Sequence, residues 1–150
     1  TALARIDLLN KISQNFDVTV YTHADCKDIL PTAIYGGKID YYDTMPTVFQ
    51  HSKINLNITL KTIQTGIPLR AWDILGCGGF LLTNFQQELC DFFIPGEDFV
   101  YYESPADAIE KAAYFLSHDR ERQEIAHNAF EKIAASHTFH HRVQSMFDII

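Results

Sequence analysis

Arg70 and Asp73 lie three positions apart and follow the stretch Gly66-Ile67-Pro68-Leu69. A glycine lets the backbone approach a ligand closely, and a proline fits the first helical turn because the donor it lacks would be unpaired there anyway. The pattern predicts a loop through Gly66 and a helix opened by Pro68 that runs through Cys77. A helix start presents unpaired N–H groups and the positive end of the dipole, so it can hold a phosphate whatever the net charge. Residues three apart share a helical face, and their side chains lean toward the N-terminus, which aims Arg70 and Asp73 at the loop. Leu69, Trp72 and Leu75 are expected to face the core. A guanidinium suits phosphate oxygens and a carboxylate suits ribose hydroxyls. The same residues also fit a plain turn glycine and a surface ion pair worth under about 1 kcal/mol.

The elements that must position these groups alternate along the chain. Ile6, Leu8, Leu9, Ile12 and Phe16 follow helical spacing, and Val18-Thr19-Val20-Tyr21 reads as a short buried strand. Residues 22 to 43, rich in Gly, Asp and Tyr, read as a loop with at most a short extended piece near Ile39. A short helix starts at Thr44-Met45-Pro46 and runs to about Ser52. Strands are expected at 53–58, 80–83 and 99–102, with a short helix at 86–93. Gly78 and Gly79 end the Pro68 helix, since glycine takes the left-handed conformation without a Cβ clash. Ser104-Pro105-Ala106-Asp107 is a capped helix start, and helices fill the remainder to about 117, from 119 to 135 and from 139 to 150. Strands separated by helical crossovers require a mostly parallel sheet with helices on both faces, so the fold class is α/β and Rossmann-like. Such sheets bind ligands beyond the carboxyl ends of their strands, where His23 follows the first strand.

Composition narrows the chemistry. A net charge of −7 speaks against nucleic acid or an anionic membrane as partner, so an anionic ligand must be held locally. Cys26, Cys77 and Cys90 are odd in number, without metal-like spacing, which leads us to expect free thiols and a cytoplasmic location. No apolar stretch approaches the length of a transmembrane helix, and a helix opens the sequence with no leader before it, so we expect a piece of a longer protein. His137, His140 and His141 lack the partners that would complete a metal site, and solvated or capping roles are expected. No metal is expected, and no nucleophile-elbow spacing is present. Tyr41-Tyr42 and Tyr101-Tyr102 place aromatics near strand ends, where one could stack on a base or straddle core and surface.

The run from Ser52 to Asn57 and the run from Gly66 through Arg70, Trp72, Asp73, Gly78 and Gly79 to Asn84 resemble the C-terminal domain of group 1 glycosyltransferases of the GT-B architecture. The spore-maturation-type (CgeB-like) branch is the nearest likeness. Pro95-Gly96-Glu97-Asp98, the helix after Ser104, Leu116-Ser117-His118 and the 137–142 run continue it in order. The resemblance implies a single donor-binding domain over residues 1–150, facing an N-terminal domain of the same protein across a cleft. The ligand it implies is a nucleotide-sugar donor, UDP-linked by expectation, with an acceptor of unknown kind and no cofactor, the nucleotide-sugar being substrate. The family's motif sets two acidic residues eight apart. Asp73 matches the second, which contacts ribose, and Thr65 falls where the first would contact the sugar. The basic pair used on the diphosphate elsewhere is not recognisable, and Arg70 and Lys61 are the substitutes. Thr65, Gly66, Ile67, Pro68, Leu69, Arg70, Asp73, Lys61 and His23 are therefore the candidate binding residues, with Gly78 and Gly79 as a structural turn near them. Catalysis would require the other domain, so the segment alone is expected to bind rather than turn over. A non-catalytic nucleotide or sugar-phosphate module and a doubly wound protein-interaction domain are the competing readings.

Overall fold

The computed structural model describes residues 2–59 and 66–149. In chain order the elements are α1 (Ala2–Ser13), β1 (Thr19–Tyr21), β2 (Ile34–Gly37), α2 (Met45–His51), β3 (Asn55–Asn57), α3 (Leu69–Gly76), β4 (Leu81–Asn84), a 3-10 turn (Gln87–Asp91), β5 (Val100–Tyr102), α4 (Pro105–Ser117), α5 (Asp119–Ser136) and α6 (Phe139–Phe147). All pairing between these strands is parallel. The fold is thus the expected Rossmann-like α/β arrangement, but its ladder comes in two parts, β1-β2 and β3-β4-β5.

Helices cover both faces, and β4 shows why. Alternate strand residues point to opposite sides. Leu82 joins Leu8, Ile12, Ala108, Ala112 and Phe115 in one buried cluster, whereas Leu81 joins Phe49, Ala71, Ile74, Leu75 and Ala129 in the other. α1 and α4 therefore form one layer and α2 and α3 the opposite one, while α5 reaches both, through Ile125 and Ala126 on the first side and Ala129 on the second. A strand buried on both sides reads as continuous apolar sequence, which is why Phe80-Leu81-Leu82 identifies itself.

β2 departs from the expected loop. Its signal is weakened by Gly36 and Gly37, residues that disfavour strands. Gly36 is nonetheless required: a Cβ there would lie 2.5 Å from the Tyr21 ring of β1. The aromatic residue on one strand takes the space that a side chain on its neighbour would need.

Candidate functional site

α3 begins at Leu69, one residue later than expected. Pro68 occupies the N-cap position with φ −57° and ψ 135°, extended rather than helical, and no side chain of the described residues caps the helix start. Gly66 has φ +94°, a left-handed conformation that a side chain would strain, and it is exposed. Among the described residues, a Cβ added at Gly66 would meet nothing within 4 Å. Its N–H donates to the carboxylate of Glu88, which comes from the 3-10 turn after β4. Ile67 packs against the α2, α3 and α5 cluster.

Leu69 corrects an expectation: it is 67% exposed, while Ala71, Ile74 and Leu75 form the buried face of α3 and Trp72 packs partly against it. With helical spacing, Leu75 and Ala71 are four apart and claim the sheet side, which turns Leu69 outward.

Arg70 and Asp73 share a side of α3; Arg70 meets α2 itself, and Asp73 the segment leading into it. The Arg70 guanidinium lies 5.5 Å from the centre of the Phe49 ring, and Nη1 donates to the Met45 sulfur at 2.6 Å. Asp73 Oδ1 accepts from the Tyr41 hydroxyl at 2.8 Å. That bond to the carboxylate, with some desolvation, raises the Tyr41 phenol above its ordinary pKa. Asp40 organises the approach, because its Oδ1 accepts from the Tyr42 and Asp43 N–H groups and its carboxyl is held below the usual value by those bonds. An Asp binding the backbone two residues on is the short-range turn that Asp favours.

A cleft of about 1320 Å³ runs between β1 and β3, and Arg70 and His23 both front it. Among the described residues its wall carries Arg5, Lys38, Arg70 and Lys53, the last 4.0 Å from the Asp119 carboxylate, against one wall carboxylate, Asp17. In a chain of net charge −7 this is a local reversal of sign. Arg70, at the start of the helix that follows β3, and His23, just past β1, mark its carboxyl-end mouth. Asp73 is not part of the cleft wall; it stands one helical turn beyond Arg70, tied to Tyr41.

Gly78 and Gly79 occupy the other end of α3, about 12 Å from its start for a helix of eight residues. Gly78 takes φ +74° and donates to Leu75 O, and Gly79 donates to Ile74 O. They close the helix as a left-handed cap and lie away from Arg70. Lys61 and Thr65 lie outside the described residues.

Sequence reasoning missed Glu88 and Lys38 as members of this edge and weighed Tyr41 as a ring that stacks on a base or straddles core and surface, not as a hydrogen-bond partner of Asp73. Lys38 directly follows β2, and Tyr41 and Glu88 lie four residues past the ends of β2 and β4; that position beyond the carboxyl ends of the strands was the available signal.

The three cysteines are free thiols, and burial pushes Cys77 and Cys90 above the ordinary thiol pKa, so neither is an activated nucleophile. Among the described residues no three His, Cys, Asp or Glu side chains converge as metal ligands. His141 instead completes a capping box with Thr138 at the start of α6. His137 packs against Trp72, Phe92 and Phe93, with the Arg142 guanidinium 5.6 Å from the Trp72 ring centre. Tyr102 is buried with its hydroxyl donating to Asn57 O, and Tyr101 packs on Phe85, so that pair straddles core and surface. No helix among the described residues is long and apolar enough to cross a membrane.

No curated protein matches this chain. The family described as glycosyl transferase-like matches residues 5–148, which takes in all the strands and the α3 edge. Parallel strands, helices on both faces and a match over nearly the whole length agree, and the chain belongs to the glycosyl transferase-like family.

Proposed function

We propose that this chain is the donor-binding domain of a two-domain GT-B glycosyltransferase of the CgeB-like branch, and that it grips the diphosphate of a nucleotide-sugar, UDP-linked, at the start of α3. The reading rests on one observation above others: Arg70 stands on the first turn of α3, at the carboxyl edge of the sheet, and fronts a cationic cleft in an acidic chain. Arg70 binds phosphate oxygens, and the helix start adds its dipole. Asp73, steadied by Tyr41, accepts the ribose hydroxyls. The Gly66 N–H, which donates to Glu88, is the donor that a phosphate oxygen takes over. Thr65 and Lys61 contribute to the sugar and diphosphate contacts, and His23 faces the ligand from the end of β1.

The chemical consequence is leaving-group stabilisation. As the glycosidic bond breaks, negative charge grows on the diphosphate, and fixed donors aimed there favour the transition state over the ground state. The acceptor and any catalytic base belong to the N-terminal domain, so the chain alone binds without turnover.

Calorimetry with UDP, UDP-sugars, GDP-sugars and ADP tests this directly. Diphosphate-dependent binding is expected, with the bare nucleoside much weaker. Absence of binding to every nucleotide in the set rejects the reading and leaves a protein-interaction domain. Transfer by the full-length protein then separates an enzyme from a non-catalytic binder.

A further inference from the structure

Away from its mouth at Arg70 and His23, the cleft between β1 and β3 has walls unlike those of a ligand pocket. On β1, Val18 O accepts from Ile34 and Thr22 N donates to Gly37 O, so the even-numbered residues turn their main-chain groups to β2. By alternation Thr19 turns its own toward β3. On β3, Asn55 N donates to Phe80 O, so Asn55 and Asn57 serve β4, and Ile54, Leu56 and Ile58 face back toward β1. The Ile58 carbonyl on that side is met by a side chain, Arg5 Nη2 at 2.8 Å, rather than by a strand. No main-chain bond joins β1 to β3 among the described residues.

Two parallel edges thus face one another, and the space between them is roofed by helices on both sides: Leu9 and Ile12 of α1 above, Phe49 of α2 and Ile74 of α3 below. Apolar roofs over polar main-chain edges are the surroundings of a sheet strand. A two-stranded parallel sheet such as β1-β2 is also a poor structure on its own, because parallel strands are found buried within larger sheets.

We infer that the cleft, apart from its mouth at Arg70 and His23, is the slot for one further parallel β-strand, and that the polypeptide immediately preceding Thr1 supplies it. The handedness of the crossovers assigns the source. A strand in the slot followed by α1 and then β1 makes a β-α-β unit running toward β2, while β3, α3 and β4 make one running the opposite way. Right-handed crossovers in opposite directions need their helices on opposite faces, and α1 and α3 lie in the two different layers. The completed order is β2, β1, the new strand, β3, β4, β5. Its direction of progression reverses at the new strand, which puts the topological switch point, and hence the ligand crevice, at the mouth where Arg70 and His23 stand.

The test uses the protein with its native residues upstream of Thr1, and its outcome is independent of nucleotide binding. With a strand between them, Thr19 and Leu56 are two strand spacings apart, roughly 9.5 Å. A T19C/L56C pair, in a background with Cys26, Cys77 and Cys90 changed to serine, then forms no disulfide, which needs Cα atoms within about 7 Å. In the unsubstituted protein the Thr19 and Leu56 amides exchange with solvent at least about 100-fold more slowly than in the 1–150 chain. Disulfide formation, equal exchange in the two proteins, or a native polypeptide that starts at Thr1 overturns the inference.

Discussion

Replacing Arg70 by alanine separates binding from folding, and the structure sets both magnitudes. Arg70 is exposed, so its removal opens no cavity and strands no buried partner. What the fold loses is the contact with the Phe49 ring at 5.5 Å and the bond to Met45. An exposed cation over a ring contributes about 0.5–1 kcal/mol. At about 2–4 °C per kcal/mol for a domain of this size, Tm should fall by no more than about 4 °C. Binding loses more: hydrogen bonds to a charged group contribute about 1.5–3 kcal/mol, which at about 1.4 kcal/mol per decade weakens UDP roughly 10- to 150-fold. Arg70→Lys keeps the charge without the planar fork and should fall between the two. Calorimetry of UDP and of uridine, with melting curves on each variant, reads out every term. Uridine affinity should not change. UDP affinity equal in wild type and R70A, with both proteins folded, refutes the assignment of Arg70 to the diphosphate.

Three further outcomes follow from the same geometry. Asp73→Ala should weaken UDP about 10-fold and leave UDP and dUDP equally bound, measured by competition, because the carboxylate facing the ribose hydroxyls is gone; retained preference for UDP rules out the ribose role. Gly79→Ala should destabilise by about 1–3 kcal/mol in urea melts, since the added Cβ would sit 2.9 Å from Phe49 O and 3.1 Å from Ile74 O, main-chain atoms that cannot step aside; a neutral effect would mean that the backbone there yields. Burial, and then the Arg142 charge, hold the His137 pKa below its ordinary 6.5. The unfolded chain therefore takes up the proton first as pH falls, so stability present above about pH 6.5 is lost on acidification through the folded value. His137→Phe, which keeps the aromatic packing, should flatten that slope, and an unchanged slope assigns it to other groups.

Much of this was legible in the sequence because the relevant rules are local. Ser104 accepts from the Asp107 N–H at 3.1 Å as its spacing to that residue foretold, and Gly78 adopts the left-handed cap that a helix end before an apolar strand requires. What failed to show were arrangements across the chain. The need for Gly36 comes from a Tyr21 ring fifteen residues earlier, so the glycine pair reads as loop until the strands are side by side. Leu69 reads as core by type, but only the packing of Ala71 and Leu75 decides which stripe of α3 is inward. At the site, the type and spacing of Arg70 and Asp73 were readable, while the Tyr41 and Glu88 contacts join residues 32 and 22 positions apart and have no periodic signature.

Trp72 is the only tryptophan in the chain, and its indole is wedged among Phe92, Phe93, His137 and Arg142. It lies two residues after Arg70 and one before Asp73, on the same helix, and its ring is the surface against which the start of α6 rests. The protein therefore carries an intrinsic optical gauge at the junction of its candidate ligand helix and its last helix. Emission from that one indole registers a rotation of α3, a detachment of α6 or a proton arriving on the neighbouring imidazole, without a label on any residue of the site.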